Sequence, residues 1–200
     1  IAWSAEDKEE LQGAIEESAD RLDALVGNLL DMSRLQAGAL VAHACPTDLG
    51  EVIPATVAAL PEPGRVVWNI EPEARTVRTD AGLLDRVLAN LIENGLRYQP
   101  AAAPVRVHTS KVAHRVEIRV VDTGVGVPAA ELERIFQPFQ RHGDAPNGAG
   151  IGLGLAVARG LTEAMGGVVE AEPTPGGGLT MVVTLPTRPG QEITREDREQ

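Results

Sequence analysis

Along the first 37 residues, Ile15, Ser18, Leu22, Leu25, Leu29 and Met32 recur at alternating steps of three and four. That spacing is a heptad seam and predicts one long helix from about Ser4 to Ala37. Ser4 followed by Asp7 resembles a capping box, and Gly38 is placed to act as a left-handed stop. The flanks of the seam are acidic, with Glu6, Asp7, Glu9, Glu10, Glu16, Glu17, Asp20 and Asp23 opposed only by Lys8 and Arg21. A helix of this length cannot bury its seam alone. It calls for a partner helix, from a missing stretch of chain or from a second copy; packing against its own domain is the alternative.

From Asp48 onward the pattern becomes that of a mixed α/β domain. Asp48 can cap a helix carrying Leu49, Val52, Ile53, Val57 and Leu60, in which Pro54 predicts a kink or a short first piece. Arg65 to Glu71 and Thr76 to Thr79 read as strands. Asp80 caps a strong helix through Leu84, Val87, Leu88, Leu91 and Ile92, ending before Pro100. Val105 to Ser110 and Arg115 to Val121 alternate apolar and polar positions, a hairpin of half-buried strands. A short helix near Ala130 to Phe136, a loop over 137–150 and a helix from Ile151 to Met165 follow. Val168 to Glu172 and Leu179 to Leu185 read as closing strands, separated by a Thr-Pro-Gly-Gly-Gly turn. The remaining tail is polar and charged. No internal repeat is visible.

Composition narrows the function. The chain has 200 residues, 43% hydrophobic, with a net charge of −11. Nucleic-acid contacts need clustered Lys and Arg, and stacking needs aromatics; two Trp, one Tyr and two Phe are too few for such a surface. An anionic ligand would have to be held locally, by a metal, by backbone N–H groups and by a few Arg side chains. Cys45 is the sole cysteine, so no intramolecular disulfide can form, which suits a reducing compartment. No apolar run reaches the roughly 18 residues of a membrane span. Residue 1 is isoleucine, so the chain reads as a piece of a longer protein, whose other parts could be membrane-bound.

Three glycine-punctuated segments carry the candidate chemistry. The first is Asn90-Leu-Ile-Glu-Asn94-Gly-Leu-Arg97-Tyr98. Asn90 and Asn94 lie four apart, hence on one helix face, and a carboxamide oxygen is a hard neutral ligand suited to Mg²⁺ when phosphates bring the remaining charge. Arg97 can pair with a phosphate oxygen and Tyr98 can pack on a base or ribose. Solvent-facing Asn residues on an amphipathic helix are the plainer reading. The second segment is Asp122-Thr-Gly124-Val-Gly126, where a carboxylate ends an apolar strand and is costly unless it meets a dedicated donor such as an adenine amine. Gly124 and Gly126 let the chain pass under a planar ring, although Asp and Gly are also ordinary turn residues. The third is Gly148-Ala-Gly150-Ile-Gly152-Leu153-Gly154-Leu155, which opens a helix and can aim several N–H groups at an anion. It lacks the Gly-Lys-Ser/Thr of a P-loop and the spacing of a dinucleotide fingerprint. A purely structural flexible loop is the alternative there. Ahead of it, Phe139 and Arg141 could serve as anchor and phosphate contact of a lid.

The order of these segments, the Phe136-Gln-Pro-Phe139-Gln-Arg141 block and the Gly-Leu-Thr180 strand resemble the ATP-binding domain of sensor histidine kinases, in the superfamily shared with gyrase B, Hsp90 and MutL. The runs Leu29-Leu-Asp-Met-Ser-Arg-Leu35 and Gly160-Leu-Thr-Glu-Ala-Met-Gly-Gly167 most resemble the potassium-responsive branch of those kinases. The resemblance implies an α/β two-layer sandwich, a mixed sheet covered by helices on one face, spanning about 45–186. Residues 1–40 would be the second helix of the dimerisation hairpin and 187–200 a polar tail. It further implies ATP and Mg²⁺ as ligands, with Asn94 the main metal ligand and Asn90 its support. Arg97 and Arg141 would meet the phosphates, Tyr98 would flank the nucleotide, and Asp122 would receive the adenine N6 amine beside Thr180. Gly124 and Gly126 would shape the purine pocket, and Gly150, Gly152, Leu153, Gly154 and Leu155 the phosphate side. Catalysis would rest on Asn90, Asn94 and Arg97.

The gyrase-like branches usually carry a glutamate base where this chain has Asn90, which favours phosphoryl transfer to a protein histidine over hydrolysis. The main departure is that none of His43, His108, His114 and His142 sits in the His-Glu/Asp-x-x-x-Pro setting of a phosphoacceptor. Gly95, where the family often has alanine, is a smaller one. The implied partners are the missing first hairpin helix, a second copy of the kinase and a response regulator; the implied place is the cytoplasm. The rival functions are another ATPase or serine kinase of the superfamily, or an interaction module with a vestigial nucleotide site.

Overall fold

The computed structural model describes residues 4–140 and 152–187. Helix α1 runs Ala5–Gln36, followed by strand β1 (Cys45–Asp48), helix α2 (Leu49–Ala59), strands β2 (Val66–Ile70) and β3 (Thr76–Thr79), and helix α3 (Ala81–Tyr98). The hairpin β4 (Val105–Val112) and β5 (Arg115–Val121) comes next, then helix α4 (Gly154–Ala164) and strands β6 (Val168–Pro173) and β7 (Leu179–Pro186). Five strands form one mixed sheet in the order β2-β4-β5-β7-β6, with β2 parallel to β4 and every other pair antiparallel. Leu49, Ile53 and Val57 of α2, Leu84, Leu88 and Leu91 of α3, and Val157 and Leu161 of α4 share one core with Val107, Ile118, Met181 and Val183 of the sheet. Helices therefore cover one face. Glu117, Arg119 and Glu172 form ion pairs on the strands, Arg119 reaching Glu172 at 3.0 Å and Glu117 at 3.5 Å.

The caps expected at Asp48 and Asp80 form. Asp48 Oδ1 accepts from Gly50 N at 2.6 Å, and Asp80 Oδ1 accepts from Gly82 N and Leu83 N at 3.0 and 3.1 Å. Burial alone would raise the Asp80 carboxyl, yet the N–H groups of His43, Leu83 and Gly82 hold it below the ordinary carboxylate range. Gly38, at φ +61°, ends α1 as a left-handed stop.

Four details go beyond or depart from the periodicity reading. Helix α2 continues through Pro54 as one 11-residue helix, because burying Leu49, Ile53 and Val57 outweighs one missing ladder bond. Strand β3 stays out of the main sheet and pairs instead with β1, a strand too short to show a period. The stretch 129–136 forms two 3₁₀ turns, Ala129–Glu131 and Arg134–Phe136. Helix α4 starts at Gly154, since Gly152 at φ +75° is left-handed and cannot sit in a helix. The last strand, β7, lies inside the sheet between β5 and β6 and is buried along its whole length.

The last turns of α1 pack against the domain. Met32 and Leu35 pack on the core, the Leu35 side chain filling the space that a Cβ on Gly160 would occupy, and buried Asp31 pairs with Arg86 of α3. Leu11, Ile15, Leu22, Val26, Leu29 and Leu30 are exposed.

Candidate functional site

The second glycine segment lies where β5 ends against the C-terminus of α3. Asp122 is 4% exposed. Its Oδ1 accepts from Gly124 N at 2.9 Å and from Leu179 N at 3.1 Å, while its own N–H bonds the Leu179 carbonyl at 3.0 Å. Both donors fall on one oxygen; no donor among the described residues meets Oδ2. Burial pushes the carboxyl above its ordinary value, and those two N–H groups pull it part of the way back. A fixed, buried carboxylate with one oxygen open can accept a further donor.

Glycines make this arrangement possible through close approach. A Cβ on Gly124 would overlap the Tyr98 carbonyl oxygen, and one on Gly178 would overlap the Asp122 carbonyl oxygen. Gly126, at φ +68°, passes against the Gly178 backbone. Thr180 follows Leu179 on β7, pairs in register with Val121, and shares a 2.9 Å hydroxyl contact with Thr174.

Helix α3 brings the carboxamides. Asn90 Nδ2 donates to the Arg86 carbonyl at 2.9 Å, which commits the nitrogen to the helix and turns Oδ1 outward. A Cβ on Gly154 would stand 2.8 Å from that Oδ1, so Asn90 lies directly over the first turn of α4. Leu153 holds the N-cap position of α4, and its side chain cannot cap the helix. Among the described residues no side chain caps the N–H groups of that turn, a position where an anion can bind. Asn94 follows one turn after Asn90 and is half-buried, with Tyr98 half-buried and Arg97 exposed beyond it. A Cβ on Gly95 would stand 3.3 Å from both Val105 methyl carbons, so the expected cost of a helix glycine comes with a close approach to β4.

At the foot of the expected lid, Phe139 N donates to the Gly152 carbonyl at 2.9 Å, and a Cβ on Gly152 would stand 2.5 Å from the Gln140 carbonyl oxygen. The Phe139 side chain is exposed and its φ is +62°, so the fastening here is by backbone. Phe136 goes into the core instead, with the Arg159 guanidinium 3.8 Å above its ring. Leu153 is buried and Leu155 packs on the core. Arg141, Gly148 and Gly150 lie outside the described residues, as does His142.

The structure therefore brings Asn90, Gly154 and Gly152 together at one end of the site and Asp122, Gly124, Gly126 and Thr180 at the other, with α3 running between. Among the described residues no His, Cys, Asp and Glu side chains cluster as a metal centre. His43 meets Asp80 through its backbone N–H at 2.9 Å, and His108 meets Glu71 and Asn69 at the surface. Sequence reasoning missed Gln99. It is 6% exposed, and its side chain bonds Thr123 N at 2.6 Å, Thr123 Oγ1 at 3.1 Å and the Pro104 carbonyl at 3.0 Å. A glutamine beside a proline at a helix end gives no signal of burial.

Residues 79–189 match the model of the histidine kinase-, DNA gyrase B- and HSP90-like ATPase family. The chain belongs to that family. It is 46% identical over 192 residues to the sensor protein KdpD of Mycobacterium tuberculosis, covering 92% of this chain and 22% of that protein. It is 33% identical over 172 residues to KdpD of Escherichia coli, covering 84% of this chain and 19% of the relative. Among solved structures, full-length ShkA in complex with AMPPNP superposes with a TM-score of 0.72 at 30% identity, covering 93% of this chain and 40% of that one. The ATPase domain is of the histidine-kinase type, as found in two-component sensor kinases. The chain spans about a fifth of the length of the KdpD relatives.

Proposed function

We propose that this chain is the ATP-binding catalytic region of a KdpD-type sensor histidine kinase, which transfers the γ-phosphoryl group of ATP to a histidine outside this chain and thence to a response regulator. The observation that carries the reading is the half-satisfied Asp122 carboxylate, buried at the mouth of a glycine-lined loop. An exocyclic adenine amine is the donor it lacks; a guanine presents a carbonyl at that position and would meet it with repulsion.

The residues present fit a magnesium–adenine nucleotide. Asn90, with its nitrogen committed to Arg86, offers an oxygen over the open first turn of α4. Asn94 presents a second carboxamide and is the main Mg²⁺ ligand of the proposal. Magnesium bound there supplies charge neutralisation at the phosphates. Arg97 and Arg141 pair with phosphate oxygens, Tyr98 flanks the nucleotide, and the N–H groups of Gly150, Gly152, Gly154 and Leu155, with Leu153, form the phosphate side. Asp122 and Thr180 hold the base, and Gly124 and Gly126 let it approach the backbone. The carboxamide of Asn90 cannot accept a proton from water, so these residues position and stabilise a transferring phosphoryl group rather than activate a hydrolytic water.

Helix α1, residues 1–40 with its linker, is the second helix of the dimerisation hairpin in this proposal, 45–186 the catalytic domain and 187–200 a tail. The exposed apolar seam of α1 supports that division. Its partners are the first hairpin helix and a second copy of the kinase. No helix among the described residues is long and apolar enough to cross a membrane; the proposed place of action is the cytoplasm, with any membrane anchor on other parts of the parent protein. The test is phosphotransfer from γ-labelled ATP to a KdpD hairpin carrying the acceptor histidine, mixed with this chain. Label on that histidine is expected; hydrolysis without transfer would make the chain an ATPase of another branch.

A further inference from the structure

Every polar group of Gln99 is engaged. Its backbone N–H closes α3 on the Gly95 carbonyl at 2.9 Å, and its carbonyl accepts from Arg65 Nη2 at 3.1 Å. Its side-chain Oε1 accepts from Thr123 N, and its Nε2 donates to both Thr123 Oγ1 and the Pro104 carbonyl. Thr123 lies between Asp122 and Gly124, the two residues whose backbone and side chain are locked together through Oδ1. Gly124 in turn backs onto the Tyr98 carbonyl, one residue before Gln99. One buried side chain thus fastens the carboxylate loop to the end of the helix that carries Asn90 and Asn94.

We propose that Gln99 is a positioning residue for the base side of the nucleotide site, fixing the 122–124 loop on α3 so that the open oxygen of Asp122 stands at a set distance from the phosphate-side carboxamides. The inference rests on the nucleotide reading above and adds a residue to it. Gln99 itself touches no ligand; it acts through Thr123. A loop merely stabilised by Gln99 would respond to its loss with lower stability throughout, whereas a loop positioned by it loses recognition of the base alone.

The experiment compares Gln99→Met, which keeps length and shape but removes all three side-chain bonds, with Thr123→Val, which removes only the hydroxyl. For each, affinity for Mg²⁺–ATP and for Mg²⁺–tripolyphosphate is measured alongside thermal stability. Gln99→Met is expected to weaken ATP by about tenfold, which is about 1.4 kcal/mol, while leaving tripolyphosphate within about twofold. Thr123→Val is expected to weaken ATP by about threefold with the same selectivity, and decides the matter if the first variant does not fold. Equal loss for both ligands, or ATP affinity unchanged in a folded variant, would overturn the positioning role and leave the nucleotide reading intact. Failure of the unaltered chain to bind ATP would overturn that reading and this inference together.

Discussion

A buried carboxylate with one oxygen satisfied and one open is held at a thermodynamic cost, and Asp122 bears that cost on its own. Its folded-state acid constant lies above the ordinary 3.8, so ionising it favours the unfolded chain. The destabilisation is absent below 3.8, where the group is protonated in both states, and develops as pH rises through the raised folded value. Asp122→Asn keeps an oxygen for the Gly124 and Leu179 N–H groups and removes the charge. At pH 7 it should match or exceed the parent in thermal stability, with the gain vanishing in acid. The same change should weaken ATP about tenfold or more, since a hydrogen bond to a charged acceptor contributes about 1.5–3 kcal/mol. For the unaltered chain, ATP affinity should fall as pH drops through the raised carboxyl range, and in Asp122→Asn that dependence should flatten. Calorimetric titration across pH 4 to 8 checks both; unchanged ATP affinity in the variant would remove Asp122 from the site.

At the scale of elements, α3 and α4 meet at Asn90 and Gly154, and the space there has no room for a methyl group. Gly154→Ala would place a Cβ 2.8 Å from Asn90 Oδ1, which must then turn away. The magnesium-dependent part of ATP binding should fall while magnesium-free adenosine binding holds; equal loss of both would show mere unfolding. Gly124→Ala meets rigid backbone at Tyr98 and should cost about 2 kcal/mol or more of stability, read from denaturant midpoints. Long periodic elements such as α3 and the β4–β5 hairpin were readable from sequence because one buried face sets their period. Strand β1, at four residues with burial on one position, has too little period to read, and β3 follows it out of the main sheet. In the site, Asn90, Asp122 and the glycines stood out by residue type. The contacts that hold them did not: the Gln99 clamp, the approach of Gly178 to Asp122 and the Leu35–Gly160 fit join residues far apart in sequence, and only folding brings them together.

For the whole molecule, α1 is docked at one end and bare along the rest. Asp31 is almost fully buried and its partner Arg86 half-exposed, so Arg86→Ala leaves a buried carboxylate without its cation and should lower stability by about 1–3 kcal/mol, measurable by chemical denaturation. Asn90 also bonds the Arg86 carbonyl, which places the helix junction one turn from the proposed metal ligands. In the proposal the exposed seam serves assembly rather than the nucleotide: replacing Leu22 and Leu29 by Lys should weaken pairing through α1, read in sedimentation, and leave ATP affinity unaltered. With a net charge of −11, the chain would have to hold an anionic nucleotide through local groups, and the proposal gives magnesium a central part in that balance. The most direct measurement is therefore a calorimetric titration of this chain with a non-hydrolysable ATP analogue, with and without Mg²⁺, and with GTP as control. Adenine-selective binding that strengthens with magnesium is the predicted result; no binding in either condition, or equal binding of GTP, would contradict it.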